Sequence, residues 1–295
     1  MLFLGKRIKI GTRGSKLALW QANLVKNKLR LFGINAEIVV IKTKGDLIKD
    51  KPLYSFGGKG LFIKEIENKL LQKEIDIAVH SLKDMSVFDN SAFEYVFLKR
   101  DTHKDVLISH KGNLFDLPKG TRIGTTSLRR RSEIYKKRED LKFVDLRGNL
   151  DTRLKKLEDG EVDAIVVSKA GLLRLGLFNE HYMYDLDIVS SAGQGVIAVE
   201  FLKDFEFKEY MYAMEDRQTR DCAEAERAYV KALNASCNYP IGAYAHYKNG
   251  RFCMSVMYGF VNDIKRILHY SLCADDTLNS KEVADKAAAY IKSKL

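Results

Sequence analysis

Proline is scarce in this chain, three in 295 residues, and no Ser/Gly-rich or polar low-complexity tract accompanies it. That scarcity excludes a disordered linker or tail as the organising feature. No apolar run approaches the ~18 residues of a membrane span. Met1-Leu2-Phe3-Leu4 is apolar but meets Gly5-Lys6-Arg7 at once. That is too short and in the wrong order for a signal peptide, so a cytoplasmic address and no membrane partner are expected. Cysteine is sparse too, standing only at 222, 237, 253 and 273 with no C-x-x-C, and the six histidines complete no zinc spacing. No metal is therefore expected, and in a reducing compartment the thiols are expected to be unpaired. Cys222 falls in a helical pattern and Cys253 in a strand pattern, as packing residues do. Cys237 differs, because Asn234-Ala235-Ser236-Cys237-Asn238-Tyr239-Pro240-Ile241-Gly242 reads as a loop.

Positive charge, by contrast, is plentiful. The formal net charge is +11, which points to anionic partners: nucleic acid, anionic lipid, or a carboxylated or phosphorylated small molecule. Much of the lysine lies on helical faces, as in Lys26-Asn27-Lys28 or Lys136-Lys137-Arg138, and reads as solvated surface. Nucleic-acid binding would ask for a basic face interleaved with exposed aromatics. Trp20 and Phe62 fall instead at helical core or cleft positions, so no nucleic-acid partner is expected. With 46% hydrophobic and 30% charged residues, the chain is composed like a globular protein, with room for two or three domains at about 100–200 residues each.

An internal repeat organises the first two thirds. Lys69-Leu70, Glu74-Ile75-Asp76, Val79 and Ser81 recur as Lys156-Leu157, Glu161-Val162-Asp163, Val166 and Ser168, each 87 positions on (69 to 156, 81 to 168). Both copies read as the end of an amphipathic helix, a tight turn and a buried strand that emits a serine. The other ends match as well. Arg7-Ile8-Lys9-Ile10-Gly11-Thr12-Arg13-Gly14-Ser15 resembles Thr121-Arg122-Ile123-Gly124-Thr125-Thr126-Ser127 with one residue inserted. Two such α/β domains imply a cleft between them. The helix after the first turn carries Leu17, Trp20, Leu24 and Leu31 at helical spacing, and the helix after the second carries Leu128, Ile134 and Tyr135 on one side. Val196-Ile197-Ala198-Val199 reads as a late return strand, with hinges near 98–104 and 188–195. The expected division is residues 1–98 with 195–217 as domain 1, 102–190 as domain 2, and 220–295 as a small α+β domain 3.

The strand through Ile75, Ile77 and Val79 delivers Ser81, Lys83 and Asp84 past its carboxyl end, where open α/β sheets bind ligands. Asp84 is then one acid in a cationic setting. Arg13 lies inside a turn, and Arg129 and Arg130 ride the first turn of a helix, where positive charge opposes the dipole unless an anion offsets it. Arg147 in Leu146-Arg147-Gly148-Asn149 follows another strand, and Arg153 stands one turn on. Guanidinium groups clamp carboxylates or phosphates, so the set points to one anion-binding cleft. Ser15 and Ser127 need no function, being good N-caps. Gly57-Gly58-Lys59-Gly60 lacks the P-loop frame, and the 44–58 segment before it reads either as a lid or as a plain surface loop.

In order along the chain stand Thr12-Arg13-x-Ser15, Leu19-Trp20-Gln21, Gly57-Gly58-Lys59-Gly60-Leu61-Phe62 and His80-Ser81-Leu82-Lys83-Asp84. Ser127-Leu128-Arg129-Arg130, Leu146-Arg147-Gly148-Asn149, Gly193-Gln194-Gly195 and Cys237-x-x-Pro240-Ile241-Gly242 follow. Over roughly residues 6 to 245 this closely resembles the porphobilinogen deaminase, or hydroxymethylbilane synthase, family. The resemblance implies an α/β fold of two periplasmic-binding-protein-like domains around a cleft plus a small α+β C-terminal domain. It implies a monomeric transferase that joins four porphobilinogen molecules head to tail, releasing ammonia at each step, to give the linear tetrapyrrole hydroxymethylbilane. By the same resemblance a dipyrromethane cofactor is tethered to Cys237 by a thioether, Asp84 is the catalytic acid, and Lys83, Arg129 and Arg130 hold cofactor carboxylates. Ser81, Thr125 and Ser127 would assist. Arg13, Ser15, Gln21, Arg147, Arg153 and Arg174 would hold the incoming or growing chain, and Lys59 and Phe62 would belong to the mobile loop.

The chemistry of the residues agrees with that implication. Each pyrrole carries an acetate and a propionate, so elongation accumulates negative charge and suits several arginines. The aminomethyl group arrives protonated, so ammonia leaves without an outside acid and an electron-poor methylene-pyrrole cation forms. An ionised Asp84, favoured by the cations around it, would stabilise that cation and take the proton lost on rearomatisation, a stabiliser and base before a proton donor. The chain departs from the family pattern at Ala235-Ser236, at Met85-Ser86 and at Ser55, where a glycine pair, a hydrophobic residue with proline, and a basic residue are usual. These departures bear on loop motion and rate, not on the reaction. The rival reading, a non-catalytic binding protein for a carboxylated ligand, would need neither Asp84 nor Cys237.

Overall fold

The computed structural model describes residues 7–43, 63–88, 90–235, 239–275 and 278–295. Ser55, Lys59, Phe62, Ser236 and Cys237 lie outside the described residues. The chain opens with β1 (Ile8–Thr12), α1 (Lys16–Leu31), β2 (Ala36–Val40), α2 (Lys64–Leu71), β3 (Ile77–Ser81) and β4 (Phe93–Phe97). It continues through β5 (Asp105–Ile108), β6 (Arg122–Gly124), α3 (Leu128–Lys137), β7 (Lys142–Val144), α4 (Leu150–Glu158), β8 (Ala164–Ser168), α5 (Lys169–Arg174) and β9 (Met183–Leu186). Then come β10 (Ile197–Leu202), α6 (Lys208–Tyr212), α7 (Arg217–Ala232), β11 (Ile241–Lys248), β12 (Arg251–Phe260), β13 (Asp263–Cys273) and α8 (Ser280–Lys292). Two compact units result: Met1–Arg100 with Val196–Arg220, and Asp101–Gly195 with Asp221–Leu295.

The first unit is built on a five-stranded sheet of order β2-β1-β3-β10-β4. β1 runs parallel to β2 and β3, whereas β10 is antiparallel to both its neighbours. The period-two alternation of β3 sorts its side chains between the two faces. Ile77 and Val79 join the core beneath α1 with Ile10, Val199 and Phe201, and Ala78 joins Ile66, Leu70 and Ile75 on the other side. α1 starts where Ser15 caps it, its side chain accepting from the Ala18 amide at 3.3 Å. Such a cap contributes about 1 kcal/mol. Its buried face is Gln21, Ala22, Val25 and Leu29, not the expected stripe of Leu17, Trp20, Leu24 and Leu31. Leu31 is 83% exposed and Trp20 36%. Of the expected stripe, Leu24 packs partly buried against this core and Leu17 is half-buried, while Leu31 and Trp20 turn outward, so Trp20 is not a core residue.

The second unit repeats the plan, with order β7-β6-β8-β5-β9, β6 parallel to β7 and β8, and β5 antiparallel to β8 and β9. β3 and β8 hold the same central place, so the sequence repeat is a repeat of topology. In each sheet the antiparallel strand is the first one made after the chain passes between units: β5 follows Arg100 and β10 follows Gly195. The molecule is thus α/β with two such sheets and a small α+β element. The latter is the antiparallel meander β11-β12-β13, against which α8 packs Val283, Ala287 and Ile291. A capping box, Asn279 with Glu282, fixes where α8 begins.

The expectation of unpaired thiols fails at one pair. Cys253 and Cys273 form a disulfide because they are register partners on β12 and β13, which sets both side chains on one face at neighbouring positions. Cys222 is buried and outside any disulfide among the described residues. Among the described residues no helix is long and apolar enough to cross a membrane.

Candidate active site

In the first unit β3 ends at Ser81 and runs into a short 3₁₀ turn, Leu82–Asp84. Leu82 is buried and anchors the turn from below, its amide donating to the Val196 carbonyl at 3.0 Å, while the Met85 amide closes the turn on the Leu82 carbonyl at 3.0 Å. Lys83 and Asp84 are left half-buried at its outer side. Ser81 continues the Ile77–Val79 face and meets Gln21 of α1, whose Nε2 donates to Ser81 Oγ at 2.8 Å. These two expected site residues are therefore brought together. Ser15 uses its hydroxyl on the helix cap, and Arg13 sits half-buried just before it.

Sequence reasoning missed a polar pair on the other face of β3. His80 Nε2 lies 3.0 Å from Glu200 Oε2 of β10, both side chains buried. The second Glu200 oxygen is buried and meets no donor. Burial, and then the repulsion of Glu200, push the Glu67 carboxyl above its ordinary range.

In the second unit, Ser127 caps α3 by accepting from the Arg130 amide. Thr125 is buried and its Oγ1 accepts from the Ser127 amide at 3.2 Å. The buried face of α3 is Arg129, Arg130, Ser132, Glu133 and Ile134, so of the expected Leu128, Ile134 and Tyr135 only Ile134 is buried. Two guanidiniums are buried because Asp105, itself buried at the head of β5, lies between them. Its Oδ2 accepts from Arg129 Nη2 at 2.7 Å, and its Oδ1 from Arg130 Nε at 3.0 Å and Arg130 Nη2 at 2.6 Å. Gln194 Nε2 adds a bond to Oδ1 at 3.1 Å and another to the His103 carbonyl at 2.6 Å. The anion that the helix dipole calls for is thus internal. The available signal was an acidic residue heading the apolar run Asp105-Val106-Leu107-Ile108, in a chain with paired arginines at a helix start.

Asp105→Asn is expected to destabilise the protein by about 3–5 kcal/mol, because two buried guanidiniums would lose their shared counter-charge. Urea unfolding of both proteins measures this, and a difference below about 1 kcal/mol would refute the role given to Asp105.

Arg153 of α4 donates from Nε to the Gly148 carbonyl at 2.9 Å, beside the half-buried Arg147. Arg174 of α5 is buried, with Nε on Asp101 at 2.7 Å and Nη2 on the Gly195 carbonyl at 2.8 Å. Burial lowers its pKa and Asp101 acts against that. It braces the two places where the chain passes between units, a contact the sequence did not announce.

The strand after Cys237 can be followed from Pro240. The Ala243 amide donates to the Ser190 carbonyl at 2.9 Å, and β11 approaches so closely that a Cβ on Gly242 would stand 2.9 Å from that oxygen and 3.1 Å from Arg129 Cδ. Five residues after Cys237 the backbone therefore lies against the Arg129 side chain. Arg129 Nε is buried and meets no acceptor, an arrangement that costs about 1–3 kcal/mol when left unsatisfied. A guanidinium with an N–H to spare, beside Gly242 of β11, fits a group with carboxylate arms. Among the described residues no cluster of His, Cys, Asp and Glu could hold a metal ion.

Two family models match the chain: "Porphobilinogen deaminase, dipyromethane cofactor binding domain" over residues 8–208, and "Porphobilinogen deaminase, C-terminal domain" over 221–292. The chain is 41% identical over 284 residues to porphobilinogen deaminase of Helicobacter hepaticus, covering 94% of this chain and 88% of that one. It is 42% identical over 277 residues to porphobilinogen deaminase of Francisella tularensis, covering 92% of each. Among solved structures, an ancestral arginine-binding protein bound to arginine aligns over 77% of this chain and 98% of its own at 17% identity and a TM-score of 0.40, a likeness too remote to carry an argument.

Proposed function

The chain belongs to the porphobilinogen deaminase family, and from that premise we propose how its residues carry the reaction. It is a transferase that condenses four porphobilinogen molecules head to tail into hydroxymethylbilane, with release of ammonia. Dipyrromethane is its cofactor and supplies, when bound, the pyrrole end to which the first ring is joined. In our reading Cys237 carries it through a thioether, and Lys83, Arg129 and Arg130 take its carboxylates. Ser81, Thr125 and Ser127 fix the local backbone and hydroxyl geometry.

Arg13, Arg147 and Arg153 take the acetate and propionate groups of the incoming substrate. Gln21 orients Ser81, Ser15 holds the helix start beside Arg13, and Arg174 braces the chain crossings. The substrate's ammonium group leaves as ammonia. The Asp84 carboxylate stabilises the resulting methylene-pyrrole cation at its N–H and then accepts the proton released when the new carbon–carbon bond is made. Guanidiniums in a partly desolvated setting hold successive acidic arms without needing to change protonation. A monomer acting in the cytoplasm completes the proposal, since one chain supplies every group named.

The observation that carries this reading is the match of both family models in chain order over 8–208 and 221–292. The test is incubation of the purified protein with porphobilinogen, following ammonia and linear tetrapyrrole together. The expected yield is four ammonia per bilane. Saturable substrate binding with no ammonia would favour a non-catalytic binding protein for a carboxylated ligand and overturn the proposal.

A further inference from the structure

We infer that the unit formed by Asp101–Gly195 and Asp221–Leu295 carries a second ligand site, an anion-binding pocket lined by His103, Lys104, Lys136, Lys137, His246 and His269. The pocket is a half-open depression of about 600 Å³, within the range of sites for small organic ligands. It shares no residue with the groups assigned to cofactor or substrate.

Its charge selects the ligand. Three lysines oppose two acids, Glu133 and Asp187, which leaves one positive charge before any histidine is protonated. Glu133 is moreover already engaged. His269 Nε2 lies 3.1 Å from both its oxygens, and the Val189 amide donates to Oε1 at 3.0 Å. Lys136 Nζ lies 3.3 Å from the other nitrogen of the same His269 ring. Three of the six histidines in the whole chain converge here. Two of them are held by a ladder of near-parallel rings: His103 on Tyr244 at 3.5 Å and 16°, and Tyr244 on His246 at 5.0 Å and 8°. Fixed imidazoles and flexible ammonium groups around one cavity suit a small multivalent anion, a polycarboxylate or a phosphate.

The pocket wall leads to Arg129. Val189 lines the pocket, gives its amide to Glu133, and accepts from Arg129 Nη1 at 2.6 Å through its carbonyl. An anion that draws His269 away from Glu133, directly or through Lys136 on its other ring nitrogen, therefore acts on the backbone that positions Arg129. This coupling, unlike the binding, rests on the function proposed above.

Isothermal titration calorimetry with citrate, and separately with inorganic phosphate, tests the site on the purified full chain. Saturable binding of one equivalent of either anion is expected, weakened at least tenfold in Lys136→Ala/His269→Ala. The anion that binds identifies the source as carboxylate or phosphate. Should that double variant fail to fold, Lys104→Ala/Lys137→Ala takes its place and the same loss is expected. Absence of saturable binding by both anions, or binding within twofold of wild type in the variants, overturns the inference. Where the anion binds, it is also expected to shift the KM for porphobilinogen by about 5- to 150-fold in the wild type and not in the variant. An unchanged KM overturns the link to Arg129. If the protein proves inactive towards porphobilinogen, the titration still decides whether the pocket binds anions.

Discussion

Asp84→Asn is expected to lower kcat by about 10²–10⁴-fold while the protein stays folded and still binds its substrate. The 3₁₀ turn that carries Asp84 is fixed by backbone bonds and by buried Leu82, none of which involves the carboxylate. Asparagine has nearly the same shape, so the turn should persist. What disappears is a negative charge and a proton acceptor, the two properties the coupling step uses. The deficit should therefore fall on kcat and on single-turnover ammonia release, with substrate affinity within a few-fold of wild type. Asp84→Glu retains the charge but displaces it by one methylene, and should lie between the two. Turnover of Asp84→Asn close to normal would remove Asp84 from the mechanism.

Cys237→Ser should have the second large effect: an intact mass equal to the sequence alone, and catalysis reduced to background. The wild type should be heavier by one dipyrromethane, with the added mass mapping to the peptide containing Cys237. A thiol is far more nucleophilic than a hydroxyl near neutral pH, so serine cannot form the tether at a useful rate even where the arginines still attract the acidic group. Thiol titration of the unfolded, unreduced wild type offers an independent count. Cys253 and Cys273 are bonded to each other, so with Cys237 alkylated only Cys222 should react. A second reactive thiol in that experiment, or a serine variant that retains both extra mass and turnover, would dismiss the thioether.

The sequence made the backbone of this arrangement legible because the relevant signals are local. Alternation through Ile77 and Val79 marks β3 and locates Lys83 and Asp84 beyond it, although Ile75, read into the same strand, precedes β3 and packs on its other side. The 87-residue repeat anticipates that β3 and β8 occupy equivalent places. What stays hidden depends on partners distant in sequence. Asp105 meets Arg129 and Arg130 across 24 and 25 positions, and His80 meets Glu200 across 120; neither pairing has a periodicity to betray it. The buried face of α1 is masked in the sequence because Gln21 and Ala22 carry little hydrophobic signal beside Trp20 and Leu31. The disulfide is hidden by register. An irregularity at Gly259/Phe260 shifts the β12–β13 pairing, and continuing the Phe260–Asp263 register without it would set Cys253 opposite Tyr270.

The position of β10 carries a consequence for biogenesis. It inserts between β3 and β4, yet it is translated only after the whole of β5 to β9. A nascent chain emerging from the ribosome therefore holds β3 and β4 with the strand that joins them still unmade, while the later sheet, drawn from one uninterrupted stretch, can close first. Asp84 sits at the edge of that unfinished gap and acquires its surroundings only once synthesis has passed residue 202.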